Sequence, residues 1–537
     1  MACFQGTLQA CTDGLKCCVA FCNGRNRKRT SSVYKRVRMA VRMTMASQSS
    51  FSRGTLLLNL DPTRPFEKHY KKETKVGEGG FGTVYLCRHL ATDECRAVKI
   101  IAKTQVKEDM EQVVTEMEAL FRLDHPNVVK LHEFFEQKNN VLVVVEFCSE
   151  GDFAKLHKER VPMENVRPFF RDVALGLAYC HDLQIVHRDL KFENCLLTQG
   201  QTRKIAKIID FGLSAIKRHE DLGAESPASP SVKKSDECWL SEALGTRWFA
   251  APEVIDRSIK YGVKCDMWSF GVMIYIMFTN EHPFAKDAAK QSHMDLFAKV
   301  LTGRYREEPL RRMGVPLDAQ VLLRNLLMKD PSRRIDATQA LKFDWLRPVA
   351  FTEMSVTSVL SQEQSKSMAS RLDHWSEISH FDKVVLMLVA HQAKQTQIET
   401  MRAAFLALDK DGNGTLSKQE LKAGLKSMGQ TMSEAHFEEM YHWLDSNENS
   451  TLDYSEWLCA TMEPSIIAAE SSIRELFDYF DSDADGELSR EELCRVTGAE
   501  EAKGILEQHD TSKDGFIDFH EFKTMVEHIA QVRSRAG

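Results

Sequence analysis

Four short stretches near the C-terminus constrain the fold more than any other feature. The first, DKDGNGTLSKQE, runs from Asp409 to Glu420, and loop-like copies begin at Asp445, Asp481 and Asp510, each between helical runs. Oxygen-bearing side chains recur at every second position around a sharp turn, and a glutamate closes each loop, which is how a chain wraps a hard cation such as Ca²⁺. One acidic loop is compatible with a polar turn; four complete patterns in series predict four helix–loop–helix units.

The first loop offers Asp409, Asp411, Asn413, the Thr415 carbonyl, Ser417 through water and a bidentate Glu420, with Gly414 at the turn. The second presents Asp445, Asn447, Asn449, Thr451, Asp453 and Glu456, but Ser450 replaces the glycine, so its turn costs more. The third has Asp481, Asp483, Asp485, Glu487, Ser489 and Glu492 around Gly486; the fourth has Asp510, Ser512, Asp514, Phe516, Asp518 and Glu521 around Gly515. The eighth loop positions, Leu416, Leu452, Leu488 and Ile517, are apolar and suit a short β contact between partners. Loops one and two, and loops three and four, are therefore expected to form two lobes, residues 396–464 and 465–532.

At 537 residues the chain is too long for one hydrophobic core. Its net charge of −6 gives no basic excess, so no nucleic-acid partner is expected. The longest apolar runs, such as VVLMLVA from Val384 to Ala390, are far short of the roughly 18 residues of a membrane span. The cysteines beyond Cys22 are scattered singly, which fits a reducing cytoplasm better than a disulfide framework. Residues 1–65, basic and without sustained periodicity, are expected to be mostly disordered.

The stretch VGEGGFGTV joins Val76, Gly77, Glu78, Gly79, Gly80, Phe81, Gly82, Thr83 and Val84 between residues of strand character, so its backbone can close over phosphates. A dinucleotide fingerprint would open directly into a helix, whereas TVYLCRHL continues as a second strand. Lys99, seventeen residues after Gly82, is then aimed at the α- and β-phosphates. Glu116 is chosen over Glu118 to hold it, because Leu120 falls one turn later on the same face. The decisive stretch is HRDLKFEN, His187–Asn194, with DFG sixteen residues past Asn194. Asp189 can accept the proton of an attacking hydroxyl, Lys191 can neutralise the transferred group, and Asn194 and Asp210 are oxygen ligands for Mg²⁺ bridging nucleotide phosphates.

With AAPE at Ala250–Glu253, DMWSFGV at Asp266–Val272 and Arg334 in DPSRRI, residues 66–346 resemble the eukaryotic protein kinase fold. The resemblance implies a Glu253–Arg334 ion pair, an adenine sandwiched by Val84, Ala97 and Leu196, Val145 as gatekeeper, and a hinge from Glu146 to Cys148. Lys191 after the catalytic aspartate resembles the Ser/Thr class. Phe192 and Arg247 depart from residues common in the family. Asp152 and Glu193 match positions that receive arginines in basophilic relatives, so protein substrates with Ser/Thr in basic contexts are expected.

A kinase, a connector and four hands in this order resemble the calcium-dependent protein kinases of plants and protists. The expected fold is α+β: a bilobal kinase followed by an all-α, two-lobed EF-hand region, using ATP, Mg²⁺ and Ca²⁺. In that family the segment after the kinase, here 347–395, restrains the enzyme until loaded hands seize it. Ile378, Phe381, Val384, Val385 and Leu388 are the candidate for the seized helix, with an ordinary packing helix equally open. Glu242 stands where a permanent charge can replace an activation-segment phosphate beside Arg188, in an exposed insertion at 217–243 that also holds Ser226 and Ser229. Ala2 replaces the myristoylated glycine of many relatives, leaving Cys17, Cys18 and Cys22 beside a Lys/Arg cluster as the route to conditional membrane association of an otherwise cytoplasmic protein. The competing reading, a calcium-sensing scaffold with an inactive kinase fold, would lack Lys99, Asp189 or Asp210, and none is missing.

Overall fold

The computed structural model describes residues 33–44, 56–57, 61–79, 82–104, 110–200, 203–211, 214–216, 246–256, 262–286, 292–347, 359–430, 432–447 and 449–536. Five antiparallel strands build the small lobe: β1 (Tyr70–Gly79), β2 (Gly82–His89), β3 (Cys95–Ala102), β4 (Leu131–Glu136) and β5 (Asn140–Glu146), in the spatial order 1-2-3-5-4. The run Val141–Val144 is buried throughout because β5 lies inside the sheet, where β-branched side chains pack on both faces. Helix α2 (Met110–Arg122) buries Val113, Met117 and Leu120 in the adjoining core.

The large lobe is organised by α3 (Met163–Asp182) and α4 (Lys264–Thr279). The latter is buried continuously from Cys265 to Ile276, as its apolar sequence on every side requires. Short pairs β6 (Ile185–Val186) with β9 (Ala215–Ile216), and β7 (Cys195–Gln199) with β8 (Lys204–Ile208), frame the segment between His187 and Asn194. Arg334 and Glu253, both buried, meet in a two-pronged pair at 2.6 and 3.0 Å, the partnership the resemblance implies.

Beyond the lobes follow α5 (Gln362–Asp373), α6 (His380–Gln392) and the helices flanking the loops: α7 (Glu399–Leu408), α8 (Lys418–Ser427), α9 (Glu434–Leu444), α10 (Tyr454–Thr461), α11 (Glu470–Phe480), α12 (Arg490–Thr497), α13 (Ala499–His509) and α14 (Phe519–Ala536). Leu416 and Leu452 exchange backbone hydrogen bonds at 2.9 Å each, and Leu488 pairs with Ile517 where β10 (Glu487–Leu488) meets β11 (Ile517–Asp518). The loops thus pair one with two and three with four. Helix α6 packs against α10 and α11 and is buried from Lys383 to Gln392.

The segment expected to be mostly disordered contains helix α1 (Val33–Thr44), packed against α2. Its buried Val33, Val37 and Val41 recur every four residues, a stripe hidden in the sequence by the surrounding arginines and lysine. Cys17, Cys18, Cys22, Ser226, Ser229 and Glu242 lie outside the described residues. Among the described residues no helix is long and apolar enough to cross a membrane.

Several histidines are buried in neutral form. Burial pushes His125 and His132 well below the usual value and His282 down to about 4. The unfolded chain takes up protons that the folded chain refuses, so this contribution is complete above about pH 6.5 and is lost as pH falls towards 4. Thermal unfolding at pH 5 should show a loss of about 2 kcal/mol from His282 alone relative to pH 7; a melting temperature independent of pH over that interval would contradict the burial of these rings.

Candidate active site and cation loops

The glycine-rich hairpin closes where Gly79 faces Gly82. A side chain at Gly82 would bring its Cβ to 2.4 Å from the Ile100 carbonyl oxygen, so the close approach of β2 to β3 requires glycine there. Gly80 and Phe81, at the tip, lie outside the described residues, as does Gly212 of DFG. Val76 is exposed, Glu78 pairs with Lys75 at 2.6 Å, and Thr83 and Val84 continue into β2 opposite Ile100 and Lys99. Ala97 faces Val145 across β3 and β5; Glu146 and Cys148 follow, and Leu196 stands on β7. Val84, Ala97 and Val145 thus lie on three neighbouring strands of the small lobe, and Leu196 belongs to the large lobe.

On β3, Lys99 donates to Glu116 at 2.5 Å and to Asp210 at 3.1 Å. Burial opposes the Lys99 charge, but the two carboxylates outweigh it and raise the pKa. Glu118 is buried without joining this group, so the choice of Glu116 from its spacing fits the geometry.

Lys191 donates to Asp189 Oδ2 at 2.7 Å, and Asn194 Nδ2 donates to the same oxygen at 3.1 Å and to the Asp189 carbonyl at 2.8 Å. The other oxygen, Oδ1, is buried and has no hydrogen-bond partner among the described residues. A buried acceptor left open costs free energy unless something donates to it, and a substrate hydroxyl is such a donor. Burial raises the Asp189 pKa, with Lys191 pulling the other way, which moves the carboxylate towards general-base strength.

Arg188 and Asp210 both have left-handed backbones, with φ of 68° and 61°. Neither is glycine, so the surroundings must hold them there. Asp266 does so for the first: its carboxylate accepts from the His187 and Arg188 backbone N–H groups at 2.9 Å each, and His181 Nε2 lies 3.0 Å away. The sequence alone does not reveal this positioning role, because Asp266 there merely opens an apolar helix. Phe192 is buried against His157 and Phe249, an aromatic stack that fills the place of the common proline. Asp152 caps a helix by accepting from Lys155 N at 2.7 Å, while Glu193 is exposed.

In the first cation loop, Asp409 accepts from the N–H groups of Gly412, Asn413 and Gly414, while Glu420 accepts from Lys410 and Asp411. One oxygen each from Asp409, Asp411 and Glu420 lie within 4.8 Å of one another, and Asp481, Asp483 and Glu492 gather in the same way. Burial, then Glu420 and Asp411, push the Asp409 carboxyl up to about 7. Crowded anions of this kind fit a divalent cation that removes their repulsion. Asn413 and Thr415 complete loop one; Asp445, Asn447, Asn449, Thr451 and Glu456 curl similarly in loop two, with Ser450 forced to a φ of 68°. Asp485 and Glu487 join loop three, and Asp510, Ser512, Asp514, Phe516 and Glu521 form the more exposed loop four.

The loops also touch the large lobe. Gly412 and Gly414 have positive φ, and a Cβ on Gly414 would meet His125 and Tyr179 at 2.7 Å. The small lobe meets α11 through acids: Asp478 lies 3.1 Å from His69 Nδ1 and 2.8 Å from His89 Nε2, and Glu475 pairs with Arg96. Gln392 accepts from Arg96 at 2.8 Å, and Asp124 accepts from Ser455 N at 2.9 Å.

The family comparison fits this geometry. The protein kinase domain matches residues 70–346, more than half of the chain. The chain belongs to the protein kinase family. In this kinase an EF-hand domain pair matches residues 398–462, and single EF hands match 473–496 and 503–526. It is similar to calcium-dependent protein kinase 21 of Arabidopsis thaliana, 29% identical over 86% of this chain and 84% of the relative. It is likewise similar to calcium-dependent protein kinase 19 of Oryza sativa subsp. japonica, 29% identical over 85% and 82%.

Replacing Asp189 with Asn should lower phosphoryl transfer at least about a hundredfold while calcium binding persists, because only the base is lost; activity within threefold of wild type would remove Asp189 from that role. Ser450→Gly should relieve about 1 kcal/mol of left-handed strain, giving about fivefold tighter calcium binding at hand two by titration calorimetry. An unchanged affinity would mean the turn is not strained.

Proposed function

We propose that the chain is a calcium-activated serine/threonine protein kinase that transfers the ATP γ-phosphate to Ser/Thr hydroxyls in basic sequence contexts. The observation that carries this reading is the open, buried Oδ1 of Asp189, beside Lys191 and within the lobe pair that joins Lys99 to Glu116 and Asp210.

Asp189 Oδ1 accepts the proton of the substrate hydroxyl and orients its oxygen for in-line attack. Lys191 offsets charge on the moving phosphoryl group, and Lys99, held by Glu116, steadies the α- and β-phosphates. Asn194 and Asp210 would hold Mg²⁺, which would supply charge neutralisation for the phosphates. Asp152 and Glu193 favour arginines or lysines in the peptide by charge-assisted hydrogen bonding.

The four loops supply the calcium response. Asp481, the first oxygen of loop three, ends the same helix that carries Glu475 and Asp478 to Arg96, His69 and His89, so calcium at that loop orders a helix in contact with the small lobe. Helix α6, between α10 and α11, is the junction element that the loaded hands grip, and its hydrogen bonds to the kinase through Gln392 and His391 support that reading. The N-terminal cysteines and Lys/Arg cluster support conditional attachment of a cytoplasmic protein to anionic membrane.

ATP consumption on an arginine-containing Ser peptide, with free calcium and with chelator, tests the proposal: activity should appear at roughly 10⁻⁷ to 10⁻⁵ M free calcium. Glu492→Gln with Glu521→Gln should raise that midpoint or abolish activation, since each removes a bidentate charge. An unchanged calcium curve would mean that loops three and four do not regulate, and transfer independent of calcium would overturn the regulated reading altogether.

A further inference from the structure

Lys99 keeps its partner only while α2 holds Glu116 against the sheet, and α2 is packed against a helix that no catalytic step uses. Val33, Val37 and Val41 of α1 are at most 1% exposed and share a core with Val113 and Met117 of α2. The start of α1 is fixed independently. The Glu136 carboxylate, at the end of β4, accepts from the backbone N–H groups of Val33 and Tyr34 at 3.1 and 3.0 Å and from Lys103 Nζ at 2.8 Å. A carboxylate at this end of a helix meets the positive pole of its dipole. Tyr34 also stacks on Phe134 of β4, with ring centres 6.3 Å apart. Helix α1 therefore bridges β4 and α2.

The same N-terminal segment has a second anchorage. Leu56 and Leu57 are buried beside Met387, Leu388 and His391 of α6, and the Leu56 carbonyl accepts from the Tyr479 hydroxyl of α11 at 2.9 Å. The N-terminal segment thus touches the helix that positions Glu116, the junction helix α6, and α11, which leads into loop three.

We propose that this stretch is a strap: α1 is a positioning element that keeps Glu116 turned to Lys99, and Leu56 and Leu57 tie that grip to the calcium-binding region. The two anchorages have separable consequences. Loss of the valine stripe frees α2, so the fraction of molecules with Lys99 and Glu116 joined falls and activity falls with it. Loss of the leucine anchorage leaves α1 in place but weakens the small lobe's hold on α6 and α11, so more calcium is needed for the same activity.

The inference rests on the calcium-activated kinase reading, and the wild-type protein is measured first: absence of a calcium response there would fault that reading and not the strap. In the full-length chain, Val37→Asp with Val41→Asp places two charges in a dry contact and should lower kcat/KM for ATP about tenfold at saturating calcium, ~1.4 kcal/mol in barrier, with calcium stoichiometry unchanged. Val37→Ile with Val41→Ile should retain wild-type rates. Leu56→Ser with Leu57→Ser should instead raise the calcium midpoint at least about threefold while keeping kcat/KM at saturating calcium near wild type.

A folded Val37→Asp, Val41→Asp protein whose kcat/KM per folded molecule stays within about twofold of wild type overturns the positioning role, whatever its melting temperature. An unchanged calcium midpoint in the leucine variant overturns the tie. If the aspartate variant does not fold, Val37→Ala with Val41→Ala, which removes contact without adding charge, takes its place: about a threefold fall supports the strap and no fall overturns it.

Discussion

The Lys99–Glu116 ion pair joins parts of the chain that have no local reason to meet. Lys99 belongs to a sheet strand, Glu116 to a helix and Asp210 to the end of the β8 segment, yet the lysine reaches both carboxylates. Taking such charges out of water is expensive, and attraction offsets the cost only when geometry is held by other contacts. Much of the molecule provides that hold. The apolar β5 run supports β3 from one side, α2 buries its inner face in the small-lobe core, and Asp266 fixes the loop that carries Asp189.

The cation loops present the opposite electrostatic problem, with carboxylates crowded together and no cationic side chain among the gathered ligands. Burial and neighbouring acids raise the Asp409 carboxyl, and a bound divalent ion would relieve the same repulsion. Because loop one leans on Tyr179 and His125, and loop three begins where α11 ends, relief of that repulsion is not local. One turn before Asp481, Asp478 sits between His69 and His89, and Glu475 reaches Arg96 one turn earlier still. The candidate calcium loops and the Lys99–Glu116 pair are thus linked by a continuous set of packed helices and ion pairs.

The candidate catalytic and cation-binding side chains that the fold brings together were legible in the sequence because their chemistry demands particular side chains at particular spacings. Asp189, Lys191, Asn194 and Asp210 can do their work only at fixed offsets, and a twelve-residue loop repeated four times leaves few alternatives. The pairing of the loops was legible too, from one apolar residue at the eighth position of each. What escaped was held by tertiary contact. The three valines of α1 are a sparse stripe among basic residues and acquire meaning only against α2. Asp266 looks like the polar start of an apolar helix until His187 and Arg188 are seen donating to it. Gly412 and Gly414 satisfy the loop pattern by themselves, and the wall formed by Leu175, Leu341, His125 and Tyr179 is invisible without the fold.

Amide hydrogen exchange of Met110–Arg122 in the full-length protein, compared in saturating calcium and in chelator, bears most directly on the link between the two halves. If calcium acts by securing the helix that presents Glu116 to Lys99, exchange across this helix should slow about tenfold or more on calcium addition, ~1.4 kcal/mol of added protection. Identical exchange in both conditions, while phosphoryl transfer switches on, would contradict control through this ion pair.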